Sequence, residues 1–298
     1  MFARLLLASL RHDPRRKLLA AGVVALGALG AGALLDVVLG ARDDLTRSLA
    51  TFGANLHVSA AGDTFAVAEL DALDKIFWRN NLVAVAPLFP LRTRLAHAAA
   101  GRDAVAPLVG TWFDHPARGQ HDGLPAVRPS LPVTGRWPAE DTAEVVLGRR
   151  LASNLRAAVG GTLAATLGPR RETLRVVGIV GGGGPEEDEA FTTLAVTQRL
   201  ASRPAAAREA EIFALTVPET SLGPRDPAAM TREEYDAWYC TAYPSAIAYQ
   251  IDAALPGARA TVVREVASVS SRLVRRLEGG LLILASLVLL AAAVGVAA

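Results

Sequence analysis

The stretch Leu18–Leu39, LLAAGVVALGALGAGALLDVVL, constrains this chain most, because its one ionisable residue is Asp36, near the far end. As a helix it reaches roughly 33 Å, enough to cross a hydrocarbon core of roughly 30 Å. Arg11, Arg15, Arg16 and Lys17 precede it and form a basic cluster that belongs on the cytoplasmic side. Ahead of them, Met1–Leu10 sets Phe2, Leu5, Leu6 and Leu10 on one helical face, and Pro14 separates that face from the span. This reads as a short helix lying on the inner membrane surface. A cleaved signal peptide is the competing reading, with Ala31-Gly32-Ala33 as the cleavage-site mimic. Signal peptides rarely place such an apolar helix before the charged region, which favours a retained span.

The far end agrees. From Gly279 the chain runs GGLLILASLVLLAAAVGVAA with no charge, and residues 281–298 suffice for a second span. That span stops without a polar anchor, so it is read as truncated and the chain as a fragment, with an unusually bare C-terminus as the alternative. About 240 residues lie between the two stretches. They are expected to form one large extracytoplasmic domain.

Composition fits this division. The chain is 51% hydrophobic but only 5% aromatic, so Ala, Leu, Val and Gly supply the excess, as in small-residue membrane helices. The net charge of +2 gathers its basic excess near the apolar ends, and the middle has no dense Lys/Arg run with interleaved aromatics. Nucleic-acid binding is therefore not expected. Cys240 is the single cysteine, which excludes an intramolecular disulfide and a thiolate metal cluster within one chain. It is expected to be buried and inert.

Between the spans, Ala41–Ala50 continues the first helix, and Asn55–Val58 is a short strand. Phe65–Trp78 suits an amphipathic helix with Leu70, Leu73, Ile76 and Phe77 inward and Asp71, Asp74 and Lys75 outward. Val83–Pro90 and Val105–Thr111 are strands bounded by Pro and Gly. Asp114–Pro138 is a Pro/Arg-rich loop or linker. Strands follow at Glu144–Leu147, Thr162–Leu167, Leu174–Val180, Phe191–Val196 and Glu211–Val217, with a short helix at Arg149–Ala158. Tyr235–Leu255 contains a helix with Ile247, Ala248 and Ile251 inward, and Pro256-Gly257 ends it. Then Val262, Val266, Val269, Leu273 and Leu277 form a helical stripe close to heptad spacing. A rigid stalk leading straight into the second span can carry motion from one to the other.

The layout resembles the permease subunits of the macrolide-exporter, lipoprotein-release and cell-division class of ABC systems, the MacB/LolC/FtsX type. GARDDLTRSLATFGANLHV, residues 40–58, looks like the segment that leaves the first span and enters the periplasmic core domain. EVVLGRRLASNLRAAVGGTL, residues 144–163, is similar to the family's "vvlG..lA..L...vGdtl" passage. LRVVGIVGGGGPEEDEAFTTL, residues 174–194, resembles the strand-and-turn continuation, and Thr197-Gln198-Arg199-Leu200 fits the short helix after it. Family members continue with two more spans, which supports the fragment reading.

The resemblance implies a permease, not an enzyme, that works as a dimer with a second permease copy or paralogue and a cytoplasmic ABC ATPase. A periplasmic adaptor or substrate protein is a further implied partner. No cofactor is implied for this chain, since ATP would be bound by the partner ATPase subunit. There is no GxxxxGK[ST] motif, and Lys17 and Lys75 are the only lysines. The implied place is the bacterial inner membrane, with the N-terminus cytoplasmic. A membrane-anchored periplasmic binding or scaffold module, and a permease of a metal-uptake-linked ABC system, are the alternative functions.

The implied fold is an α+β periplasmic domain, with a mixed sheet and a small β-rich part forming two subdomains, between two transmembrane α-helices. Its boundaries are 1–17 for the interfacial helix and basic flank, 18–39 for the first span and 40–260 for the core domain. The stalk takes 261–280 and the second span 281–298.

Three stretches carry candidate chemistry. Gly181–Glu189, GGGGPEEDE, has glycines but is followed by acids rather than a lysine-bearing helix start, so it reads as a flexible solvated turn rather than a phosphate or calcium loop. Asp114, His115, His121 and Asp122 bring divalent-metal ligand types together in a spacing that matches no ligand pattern and reads as a surface loop. Trp238, Tyr239, Cys240 and Tyr243 form the candidate partner or substrate patch, because clustered aromatics make good anchors. No GxSxG nucleophile elbow and no metal or catalytic set is expected.

Overall fold

The computed structural model describes residues 53–117, 120–217, 219 and 227–263. Both expected spans, the basic flank, the helix at 41–50 and the stalk beyond Val263 lie outside these residues. Among the described residues, no helix is long and apolar enough to cross a membrane.

In chain order, β1 (Leu56–Ala60) and β2 (Phe65–Ala66) lead into a 3-10 helix, Val67–Lys75. Then come β3 (Leu82–His97), β4 (Arg102–Thr111), β5 (His115–Ala117), β6 (Gln120–Asp122), α1 (Leu124–Val127) and β7 (Val133–Gly135). β8 (Glu144–Gly148) feeds α2 (Arg149–Leu155), and β9 (Thr162–Leu167) feeds β10 (Arg170–Val180). β11 (Ala190–Thr193), α3 (Leu194–Ala201), β12 (Ala206–Ala207) and β13 (Glu209–Ala214) follow. The last elements are α4 (Arg232–Tyr239), α5 (Pro244–Ala254) and β14 (Ala258–Val262).

Most strands join one mixed sheet in the order β14-β1-β13-β3-β4-β11-β8-β10-β7, with β9 bridging β10 and β3. β8 runs parallel to β10 and β11 parallel to β4, whereas β3 and β4 form a long antiparallel hairpin from Leu88↔Thr111 to His97↔Arg102. Gly101, at φ +58, closes that hairpin in the left-handed region, where a side chain would be strained. The α+β class with a mixed sheet is therefore present. The expected two subdomains take the form of two hydrophobic cores on a single sheet.

β3 serves both. Its Leu82 and Val85 enter a core with Leu56, Leu73, Ile212 and Ile251. Its Phe89 and Leu95 enter the other, with Leu147, Leu155, Leu174 and Leu200. On the opposite face Leu88 packs with Val109, Phe113, Leu124 and Phe191.

Several elements differ from the sequence reading. Phe65–Trp78 is a two-residue strand and a 3-10 helix; Leu70, Leu73 and, just past the helix, Ile76 are buried while Phe77 is 56% exposed. β3 continues through Pro87 and Pro90 to His97, since a proline is tolerated where the ladder asks for no N–H. The described residues of 114–138, read as a loop or linker, include β5, β6, α1 and β7. Polar anchors hold them: Val85 N–H donates to the buried Asp122 carboxylate (3.0 Å) and Gln120 Nε2 to Leu82 O (3.0 Å).

Tyr235–Leu255 divides into α4 and α5 at Pro244. α4 starts at a capping box, in which Thr231 N–H donates to Glu234 and Glu234 N–H to Thr231 Oγ1. The strand beginning near Phe191 stops at Thr193, where α3 takes over. Thr261 and Val262, read as the foot of the stalk helix, are the end of β14, because pairing with β1 holds them extended.

Candidate functional site

Both ends of the described domain meet at one place. β1 lies between β13 and β14, so Leu56 faces Ile212 on one side and Val262 on the other. Just before it, Asn55 donates its N–H to Ile212 O (3.1 Å), and Asn55 O accepts from Val263 N–H (2.9 Å). Its side chain reaches the end of β13: Nδ2 donates to Ala214 O (2.8 Å) and Thr216 Oγ1 (3.1 Å), and Oδ1 accepts from Ala214 N–H (3.0 Å).

Asn55 is 4% exposed, and a buried amide survives there because both its oxygen and its nitrogen are bonded. Asn81 repeats the device one strand over, exchanging bonds with Leu215 through its backbone oxygen and side-chain nitrogen. The chain thus enters and leaves through one stitched joint.

An aromatic cluster stands at the same end of the sheet. Phe77 and Trp78 lie one short 3-10 turn, Arg79–Asn81, before β3, whose Leu82 pairs with Ala214 beside Asn55. Trp78 Nε1 donates to Tyr239 O (3.0 Å), and Val217 N–H donates to Ala242 O (2.8 Å), which brings α4 and its following turn to this end. Phe77 meets Trp78 edge-on at 5.0 Å and Tyr239 at 5.9 Å. Tyr235 stacks with Tyr239 at 5.6 Å and meets Trp238 at 5.9 Å, while Tyr249 meets Trp238 at 5.5 Å. A hydrogen bond with Tyr249 raises the Tyr235 phenol above its ordinary range. Phe77, Tyr249, Leu215 and Val217 are exposed around this cluster.

Of the four predicted patch residues, the structure brings Trp238 and Tyr239 into the cluster. Trp238 is buried, with Nε1 donating to Ser245 Oγ (2.9 Å), and that hydroxyl donates to Glu219 (2.8 Å). Cys240 is exposed rather than buried, because α4 ends there and turns it outward. Tyr243 makes no ring contact with the cluster and instead accepts Ile247 N–H at the start of α5. Sequence reading missed Phe77, Trp78, Tyr235 and Tyr249. Only the i, i+4 pair Tyr235 and Tyr239 carried a signal.

The other candidates resolve differently. His121 pairs with Asp114, His115 stacks on Trp112 at 3.9 Å, and Asp122 turns inward to Val85. The four do not converge, and the described residues contain no group of three or more potential metal ligands close enough to share an ion.

The glycine-rich turn is anchored rather than loose. Gly182 and Gly183 N–H donate to the buried Glu187 (3.4 and 3.1 Å), and Gly184 N–H to Glu186 (3.1 Å). Arg150 fastens the turn through Asp188 (2.6 Å) and Gly184 O (3.2 Å), and its hydrogen bond holds Asp188 below the usual carboxylate range. The turn's own acids fill the backbone donors that a phosphate would need.

No protein-family model matches the sequence, and no curated protein matches it. Among solved structures, the chain is similar to the periplasmic region of MacB from Actinobacillus actinomycetemcomitans, at 9% identity over 74% of this chain and 92% of that one, with a TM-score of 0.46. It is also similar to the extracellular domain of the noncanonic ABC-type transporter YknZ from Gram-positive bacteria (10% identity, 70% and 98% covered, TM-score 0.43). A domain of a putative permease protein from Porphyromonas gingivalis follows (8% identity, 59% and 76% covered, TM-score 0.37). These are likenesses of chain path without shared sequence.

Proposed function

We propose that this chain is the permease subunit of a mechanotransmitting ABC complex in a bacterial inner membrane. Its cytoplasmic partner binds and hydrolyses ATP, and the extracytoplasmic domain moves in response to export or extract a substrate. The observation that carries this reading is the stitched joint at Asn55. Residues 18–39 and 281–298 read as spans, and the domain between them takes in its two connections on adjacent, hydrogen-bonded strands. Motion of either connection is then delivered to the whole sheet, instead of being absorbed in slack loops. The aromatic end is the surface offered to a second permease copy, a paralogue or a periplasmic adaptor.

A topology test decides the frame. Alkaline phosphatase fused within the full chain at Gly135, in β7, is expected to be active, and green fluorescent protein fused there to be dark. A fluorescent fusion at Gly135 would place the domain in the cytoplasm and overturn the reading. Coupling is tested next, by whether co-purified ATPase loses its stimulation when Asn55→Ala loosens the joint.

A further inference from the structure

A cleft of about 410 Å³ lies on the face of the sheet away from the two large cores. Its volume falls within the roughly 300–1,000 Å³ typical of small-molecule sites. Leu88, Val109 and Phe191 make an apolar floor, Arg128 and Glu189 form one wall, and the cleft opens past the exposed Arg92.

The charges around it are unevenly committed. Arg128 grips Glu211 through two hydrogen bonds, from Nε and Nη2, and Arg208 is paired with Asp63. Glu189 is held in place by its backbone, with its O accepting Gly148 N–H (2.7 Å) and its N–H donating to Glu186 O (3.3 Å). Its half-buried carboxyl has neither a hydrogen-bond nor an ion-pair partner among the described residues.

We propose that this cleft binds a cationic amphiphile, its apolar body on Leu88, Val109 and Phe191 and its ammonium group against Glu189. A carboxylate taken partly out of water gains more from a counter-ion than a solvated one does, because the local dielectric is lower. Burial raises the Glu189 pKa, and Arg128 is the one neighbour that pulls it back down, against Glu186, Glu211 and Asp188. A bound cation relieves that penalty. An anion has no equivalent place, since reaching Arg128 means displacing Glu211, and Arg92 is on the exposed rim, where water screens its charge. The site stands independently of the permease reading.

Calorimetric titration of the purified full chain with 2-(1-naphthyl)ethylammonium, 1-naphthylacetate and 2-(1-naphthyl)ethanol tests this. The ammonium is expected to bind at least about tenfold tighter than the other two, as one buried charge pair supplies on the order of 1.4 kcal/mol. Glu189→Gln is expected to erase the preference, and Arg92→Glu, on the exposed rim, to strengthen ammonium binding several-fold. Equal binding of all three, tighter binding of the carboxylate, no ammonium binding, or a preference that survives Glu189→Gln would each overturn the proposal. Thermal unfolding of both variants separates loss of the site from loss of the fold.

Discussion

Asn55 and Glu189 are both polar side chains drawn into the domain, and they are treated in opposite ways. Every hydrogen-bonding group of Asn55 is answered, from β13 and Thr216 just beyond it on one side and from Val263 at the end of β14 on the other. The carboxyl of Glu189 has no hydrogen-bond or ion-pair partner among the described residues, although its backbone is held. A satisfied buried amide strengthens and specifies the joint around it, whereas an unsatisfied carboxyl costs stability until something binds. One residue belongs to the framework, and the other is held ready.

Three substitutions sharpen the contrast, the largest effect first. Asn55→Ala leaves Ala214 N–H and C=O without partners in a buried place, and is expected to cost about 3 kcal/mol. A lowered urea midpoint with an unchanged slope checks it. A loss below about 0.5 kcal/mol would show that the joint holds without its side chain.

Asp122→Ala, within the segment that sequence reading took for a loop or linker, removes the acceptor for Val85 N–H. A loss of about 2 kcal/mol is expected, with faster amide exchange at Val85.

Glu189→Gln should act in the other direction. A carboxyl whose pKa is raised on folding contributes its stability below the unfolded value of about 4.3 and loses it as pH rises through the folded value. At pH 7 the wild type therefore carries a penalty that the Gln variant lacks. The variant is expected to be more stable by less than about 1 kcal/mol, after screening of a partly exposed group, with the gap closing towards pH 4. A variant less stable than wild type at pH 7 would mean that the carboxylate has a partner.

What the sequence disclosed and what it withheld divide along the same line. β8 and β9 were legible from their apolar runs and flanking turns, and α5 from the spacing of Ile247 and Ile251. Local pattern sufficed because the apolar residues that bury each of those elements are contiguous or regularly spaced within it. Asn55 was an ordinary residue at a strand start, since the atoms that answer it lie 159 residues away at Ala214. Phe77 was assigned inward because the 3.6-residue rhythm included it, but the helix is 3-10 and stops at Lys75. The glycine-rich turn looked loose because Arg150, which fastens it, comes from α2, 38 residues before Asp188. Of the aromatic end, only the α4 portion was contiguous enough to be seen.

The position of β1 also sets an order of assembly. The hairpin of β3 and β4 can close as soon as both strands exist, since their contacts are near in sequence. β1 emerges earlier, yet its two neighbours are β13 and β14, and Thr261 Oγ1 meets His57 O across 204 residues. During synthesis β1 therefore waits with both edges bare, which makes it the segment most in need of protection from premature pairing. The joint is made last, so a domain still being built has no closed connection through which it could be pulled.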